Sequence, residues 1–177
     1  MFSIQITSTP SLEQIKKFVN KLEYAVLMDL TEFWKKWAVP AVAEEVGRIF
    51  ATEGYGTWPP LSAKYAASKA KHYPGKRILR RTDMYYGAAT EQRKAGNLFY
   101  VEKDKMTWGV DLGYFATAYG FPYPAALEKG STRGMPARPV FEIASKSQHL
   151  QNNLVAALKN YLGKTIEKET IRHFGRR

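Results

Sequence analysis

Residues 98–112 read Leu-Phe-Tyr-Val-Glu-Lys-Asp-Lys-Met-Thr-Trp-Gly-Val-Asp-Leu, and their pattern predicts a β-hairpin. Leu98 to Glu102 is one apolar, strand-like run. Met106, Trp108, Val110 and Leu112 then alternate with Thr107, Gly109 and Asp111, which places one face of a second strand inward. Lys103-Asp104-Lys105 makes the connection. A weak third strand, Pro139 to Ile143, is expected at a sheet edge, where proline is tolerated.

Upstream of the hairpin the period changes from two to nearly four. Leu12, Ile15, Val19, Leu22, Val26, Leu30, Phe33 and Trp37 are spaced by three and four, which predicts one long amphipathic helix over residues 11–37. Ser11 is its expected N-cap, with Gln14 completing a capping box. Pro40 then interrupts the pattern. Val42, Val46, Ile49 and Phe50 form a stripe in a rotated phase, so a kink or a fresh helix is expected at the proline. Ahead of all this, Phe2, Ile4 and Ile6 alternate with polar residues, as in a short strand.

Glu53 to Pro60 is a loop by its glycines and prolines. Ser62 is an expected cap for a short helix reaching His72, and a second short helix is expected from Thr82, with Met84, Tyr85 and Ala88 apolar. Residues 113–139 hold four glycines and four prolines, a density that predicts irregular structure. Leu150, Leu154, Ala157, Leu158 and Tyr161 mark a C-terminal helix, weakened at Gly163 and followed by a basic tail. The sum is an α+β fold: a small antiparallel sheet packed with a long N-terminal helix and a C-terminal helix, with extended loops and arms. One domain is expected over 1–177, with a core region at 50–145 and the C-terminal helix and tail at 146–177.

The 177 residues carry 27 Lys and Arg against 16 Asp and Glu, a formal charge of +11, and no cysteine. Disulfides, thiolate–metal sites and cysteine nucleophiles are thereby excluded. No apolar run approaches the roughly 20 residues that span a bilayer, and the first ten residues lack the pattern of a signal peptide. A soluble, intracellular protein without a membrane partner is expected. The excess charge attracts an anionic partner, either nucleic acid or an acidic protein surface, although many solvated proteins are merely basic.

Chemistry finds little purchase. His72, His149 and His173 have no metal-ligand spacing, and His149 reads as solvent-facing. No serine sits in a G-x-S-x-G elbow. Gly130 to Gly134 lacks the Gly-Lys-Ser/Thr ending of a phosphate loop. Glu44-Glu45 and Glu167/Glu169 read as solvated helix faces. No catalytic residue, metal or cofactor is expected. The basic residues do cluster: Lys64, Lys69, Lys71, Lys76, Arg77, Arg80 and Arg81 precede the next acid, Asp83, with Tyr65 and Tyr73 among them. Such a strip suits DNA phosphates or an acidic partner; it also suits a solvated face.

Four segments stand in order: Trp58-Pro59-Pro60-Leu61-Ser62-Ala63-Lys64-Tyr65; Lys76-Arg77-Ile78-Leu79-Arg80-Arg81-Thr82-Asp83-Met84; Tyr123-Pro124-Ala125-Ala126-Leu127-Glu128-Lys129-Gly130; and Met135-Pro136-Ala137-Arg138-Pro139. With them the middle of the chain, from about Phe50 to Phe141, resembles the Mu-like phage virion morphogenesis (tail-completion) family. Asp83 stands where that family has glycine, and Glu128 replaces its histidine. The resemblance implies a non-enzymatic virion protein at the head–tail junction. It would assemble as a homo-oligomeric ring in the host cytoplasm and contact other neck, tail-terminator, tail-tube, portal or adaptor proteins, with DNA passing through the lumen. Trp58, Leu61 and Tyr65 are then the expected aromatic anchor, and Met135, Arg138 and Pro139 the expected contact loop. For Trp58, plain core packing is the competing expectation.

Overall fold

The structure, a computed structural model, describes residues 12–27, 29–132 and 134–175. The strand expected at Phe2–Ile6 and the Ser11 cap lie outside them. The architecture is α+β. The helices are α1 (Leu12–Leu27), α2 (Thr31–Phe33), α3 (Val39–Ala51), α4 (Ala63–His72), α5 (Met84–Thr90), α6 (Leu112–Tyr119), α7 (Tyr123–Lys129), α8 (Phe141–Lys146) and α9 (Gln148–Phe174), with strands β1 (Asn97–Val101) and β2 (Met106–Val110) between α5 and α6. The hairpin is antiparallel and pairs Phe99 with Trp108 and Tyr100 with Thr107. The rings of Phe99 and Trp108 meet edge to face at 5.6 Å on the inner face, while Tyr100 stands out in solvent.

The long N-terminal helix is divided, and not where the proline stands. At Asp29 and Leu30 the backbone leaves the helix: Asp29 Oδ1 accepts from the Thr31 amide at 2.9 Å, and the Leu30 amide donates to the Lys103 carbonyl in the hairpin turn at 2.7 Å. A tertiary partner thus replaces a helical one. From Thr31 the chain runs through a π-helical segment, Trp34–Ala38, straight into α3. There the Val39 amide reaches back to the Trp34 carbonyl. The wide turn adds one residue and rotates everything after it. That residue is the source of the phase change that the sequence ascribed to Pro40. The proline itself sits in the first turn of α3, where a missing N–H is tolerated.

Two further expectations are corrected. Residues 113–139 are not irregular throughout, because their glycines and prolines punctuate α6 and α7. Asp111 caps α6 by accepting from the Gly113 and Tyr114 amides, Gly120 ends it in the left-handed region, and Pro124 opens α7. Pro139–Ile143 is not a third strand. Glu128 Oε1 accepts from the amides of Val140 and Phe141, and a carboxylate on two initial amides starts a helix, here α8.

The main core gathers Val46, Ile49 and Phe50 of α3, Trp58, Tyr85 and Ala89 of α5, and Val140 and Ala144 around α8. Each large side chain buried this completely contributes about 1.5–3 kcal/mol. A second cluster joins Phe33 and Ala38 to Tyr161 of α9. Beyond it α1 and α9 run antiparallel, with Phe18 against Phe174 and Lys21 3.5 Å from Glu169. Ser147 caps α9 by accepting from the Leu150 amide, and the helix passes through Gly163 without a break. No helix of the described residues is long and apolar enough to cross a membrane.

Candidate docking cleft

Segments 58–65 and 135–139, far apart in sequence, are fastened to each other. The Trp58 indole donates to the Pro139 carbonyl at 3.0 Å. Arg138 donates from Nε to the Pro59 carbonyl and from Nη2 to the Pro60 carbonyl, both at 3.0 Å, while its own amide donates to the Leu127 carbonyl. A planar guanidinium holds two adjacent carbonyls in one plane, which an ammonium would not. The Ser62 hydroxyl then caps α4 by accepting from the Tyr65 amide, as expected.

The join frames a cleft of about 760 Å³. Leu61 and Tyr65 line one side, Met135 and Pro136 another, and Tyr119, Phe121 and Tyr123 add an aromatic wall; Lys69, Arg81 and Arg138 supply charge. Trp58 and Pro139 do not line it. Trp58 is 6% exposed and packs edge to face on Phe50, so it supports the cleft from the core. Four of the six expected contact residues therefore share one concave surface.

Burial sets the electrostatics here. Lys69 and Arg138 are 6% and 5% exposed. Desolvation lowers the pKa of both, and the charge of Glu53 works against that shift. Lys69 Nζ donates to the Arg77 carbonyl. Tyr85 donates to Glu128 at 2.9 Å; burial, then the Glu128 charge, raises its pKa far above the ordinary tyrosine value. Burial, followed by Tyr119, pushes Tyr123 up to about 12.

The basic strip divides in two. Arg77 donates to the Ala51 carbonyl at the end of α3, where a cation meets the negative end of the helix dipole. Lys76 and Arg80 both pair with Asp83, and the Arg80 guanidinium lies 3.8 Å over the Tyr86 ring. Asp83 itself has φ +57, a left-handed backbone that suits glycine or aspartate. With Lys69 and Arg138 these side chains hold the framework together. Lys64, Lys71 and Arg81 are exposed without an ion pair among the described residues, and Lys76 and Arg77 remain exposed despite their partners.

Sequence reasoning missed a second polar cluster. Glu45, read as solvated, is 1% exposed. It accepts from the Tyr55 hydroxyl at 2.7 Å and lies 3.1 Å from His149 Nδ1 and 3.6 Å from Arg48. His149 faces solvent as expected, its side chain 42% exposed, and is at the same time tied to α3. Glu169 is likewise buried, at 8%, between Lys21 and Arg172. Only the three-residue spacing of Glu45 and Arg48 hinted at the first cluster, since His149 arrives from 104 positions away. Among the described residues no group of three or more His, Cys, Asp or Glu is placed to hold a metal.

These features define an α+β protein with an aromatic cleft lined in part by buried cations. Compared with family models, with curated proteins and with solved structures, the chain matches none of them.

Proposed function

We propose that this chain is a structural assembly protein of a tailed-phage particle, acting at the head–tail junction, where it closes into a ring and joins tail to portal-bearing head. One observation carries the reading. The two segments most like the virion morphogenesis family, Trp58–Tyr65 and Met135–Pro139, are bonded to each other and frame a single cleft. A preformed cleft lined by four tyrosines, Phe121, Met135 and the buried Arg138 has the composition of an interface core. Rings close through unlike surfaces of successive copies, which leaves the cleft for the adjoining head or tail component.

The competing reading, a basic nucleic-acid module, loses support from the strip itself. Lys69, Lys76, Arg77 and Arg80 have partners within the chain, so within the strip only Lys64, Lys71 and Arg81 have no hydrogen bond or ion pair among the described residues to give up to a phosphate backbone.

Light scattering after gel filtration tests the proposal, with the full chain run alone and then with purified tails and portal-bearing heads. We expect it to oligomerise alone or on one of these, and Tyr65→Glu to weaken that association. A chain that stays monomeric and binds neither structure overturns the proposal, as does its absence from mature particles.

A further inference from the structure

We propose that the cleft receives a short acidic segment of a different protein, with a carboxylate seated between Lys69 and Arg138 and a large apolar side chain against Tyr65, Tyr119 and Tyr123. The inference rests on the cleft being a docking surface and adds the chemistry of its occupant.

Two cations more than nine-tenths buried line this cleft, and no carboxylate stands among its described lining residues. Buried charges ordinarily sit beside a counter-charge, because desolvation otherwise disfavours the charged form. Here the partners are backbone carbonyls: Arg77 O for Lys69, and Pro59 O and Pro60 O for Arg138. Arg138 uses Nε and Nη2 on those carbonyls, and Nη1, which donates to no described residue, is not sealed from solvent. Glu53 acts on both cations through space, yet its Oε1 accepts from the Ile78 amide at 3.1 Å and it forms no ion pair with either. A carboxylate entering the cleft would therefore meet prepaid geometry: fixed donors whose desolvation folding has already borne.

The walls discriminate between anions. Nucleic acid is held mainly by cations that follow successive phosphates at the surface. These cations are instead two deep points, ringed by phenols, leucines and methionine. That suits one acid flanked by a bulky side chain. The chain's own charge of +11 steers an acidic partner toward it.

The probe is a labelled peptide, acetyl-Gly-Asp-Phe-Glu-Leu-Gly-amide, titrated into isotope-labelled full-length chain and followed by NMR. Its isosteric counterpart, with Asn and Gln for the two acids, and oligothymidylate serve as comparators. We expect the acidic peptide to shift amides at 61–69 and 134–138, and the amide counterpart to bind at least about tenfold more weakly, the effect of losing one charge-assisted hydrogen bond. Tyr65→Glu and Arg81→Glu, both at exposed positions, should each weaken the acidic peptide by a similar factor without changing the melting temperature. Equal binding of the two peptides overturns the inference, as does an absence of shifts in the cleft. Displacement by oligothymidylate also overturns it, in favour of nucleic acid. Association with tails or heads reads the assembly proposal separately. If Tyr65→Glu abolishes peptide binding but not association, the junction role of the cleft falls; if association is lost while the wild-type chain ignores the peptide, this inference falls.

Discussion

The indole nitrogen of Trp58 donates to the carbonyl of Pro139, 81 residues further along the chain, at 3.0 Å. With it a ring in the core fixes the backbone of a surface loop, so the shape of the cleft depends on the packing beneath it. Gly54 makes that packing possible. Its backbone lies at φ +70, and a Cβ there would come within 2.4 Å of the Trp58 ring. Gly54→Ala should destabilise the fold by about 2–4 kcal/mol, combining left-handed strain with overpacking. Urea unfolding followed by tryptophan fluorescence measures it.

Arg138 should matter to stability as well as to docking. Arg138→Ala strips the Pro59 and Pro60 carbonyls of their donors, and a loss of about 3 kcal/mol is expected. Arg138→Lys keeps the charge but not the fork, and should recover no more than about half of it. Thermal melts of the three proteins decide the order.

Glu45 makes the fold sensitive to acid. Burial pushes its pKa up, but hydrogen bonds from Ser147 and Tyr55, with the Arg48 charge, outweigh burial and hold it below the ordinary 4.5. A depressed carboxylate contributes stability above its unfolded pKa and loses it as pH falls through the folded value. Wild type should therefore weaken below about pH 4.5 more steeply than Glu45→Gln, which should already be about 1–3 kcal/mol less stable at neutral pH. Melting temperature against pH for the pair is the measurement.

At the alkaline end the sign reverses. Tyr85 and Tyr123 have raised pKa values, so their contribution is complete below the unfolded tyrosine value of 10.0 and falls away above it, for Tyr123 up to about 12. Tyr123→Phe should flatten part of the alkaline loss of stability, read by circular dichroism across that range.

The basic strip should split in mutagenesis as it splits in space. Lys64→Glu and Lys71→Glu, at exposed positions, should change stability by no more than about 0.5 kcal/mol. Arg77→Glu places a carboxylate against the carbonyl end of α3 and should cost roughly 1–3 kcal/mol. Chemical denaturation separates the two groups directly.

What could be read from sequence was what neighbours in sequence decide. The hairpin at Leu98–Val110, the helix capped by Ser62 and the helix at Met84 each declare themselves through period and cap residues within a few positions. The break at Asp29–Leu30 does not, because its stabilising carbonyl belongs to Lys103. Nor does α8, whose first amides depend on Glu128 rather than on any local cap. The site followed the same rule. Leu61, Tyr65, Met135 and Arg138 were legible as motif residues, but the wall of Tyr119, Phe121 and Tyr123 exists only once α6 and α7 pack together, and the buried state of Lys69 only once the chain after α4 folds back to set the Arg77 carbonyl on its ammonium.

The widened turn at Trp34–Ala38 makes residue count a structural quantity. Excising Lys35 or Lys36 would let the segment revert to ordinary α pitch and swing Phe33 by about 100° relative to α3, away from Tyr161 at 5.7 Å. Either lysine could change to another residue with little consequence, yet neither could be dropped. Between Phe33 and Val46 the chain works as a length gauge that keeps its two apolar clusters in register.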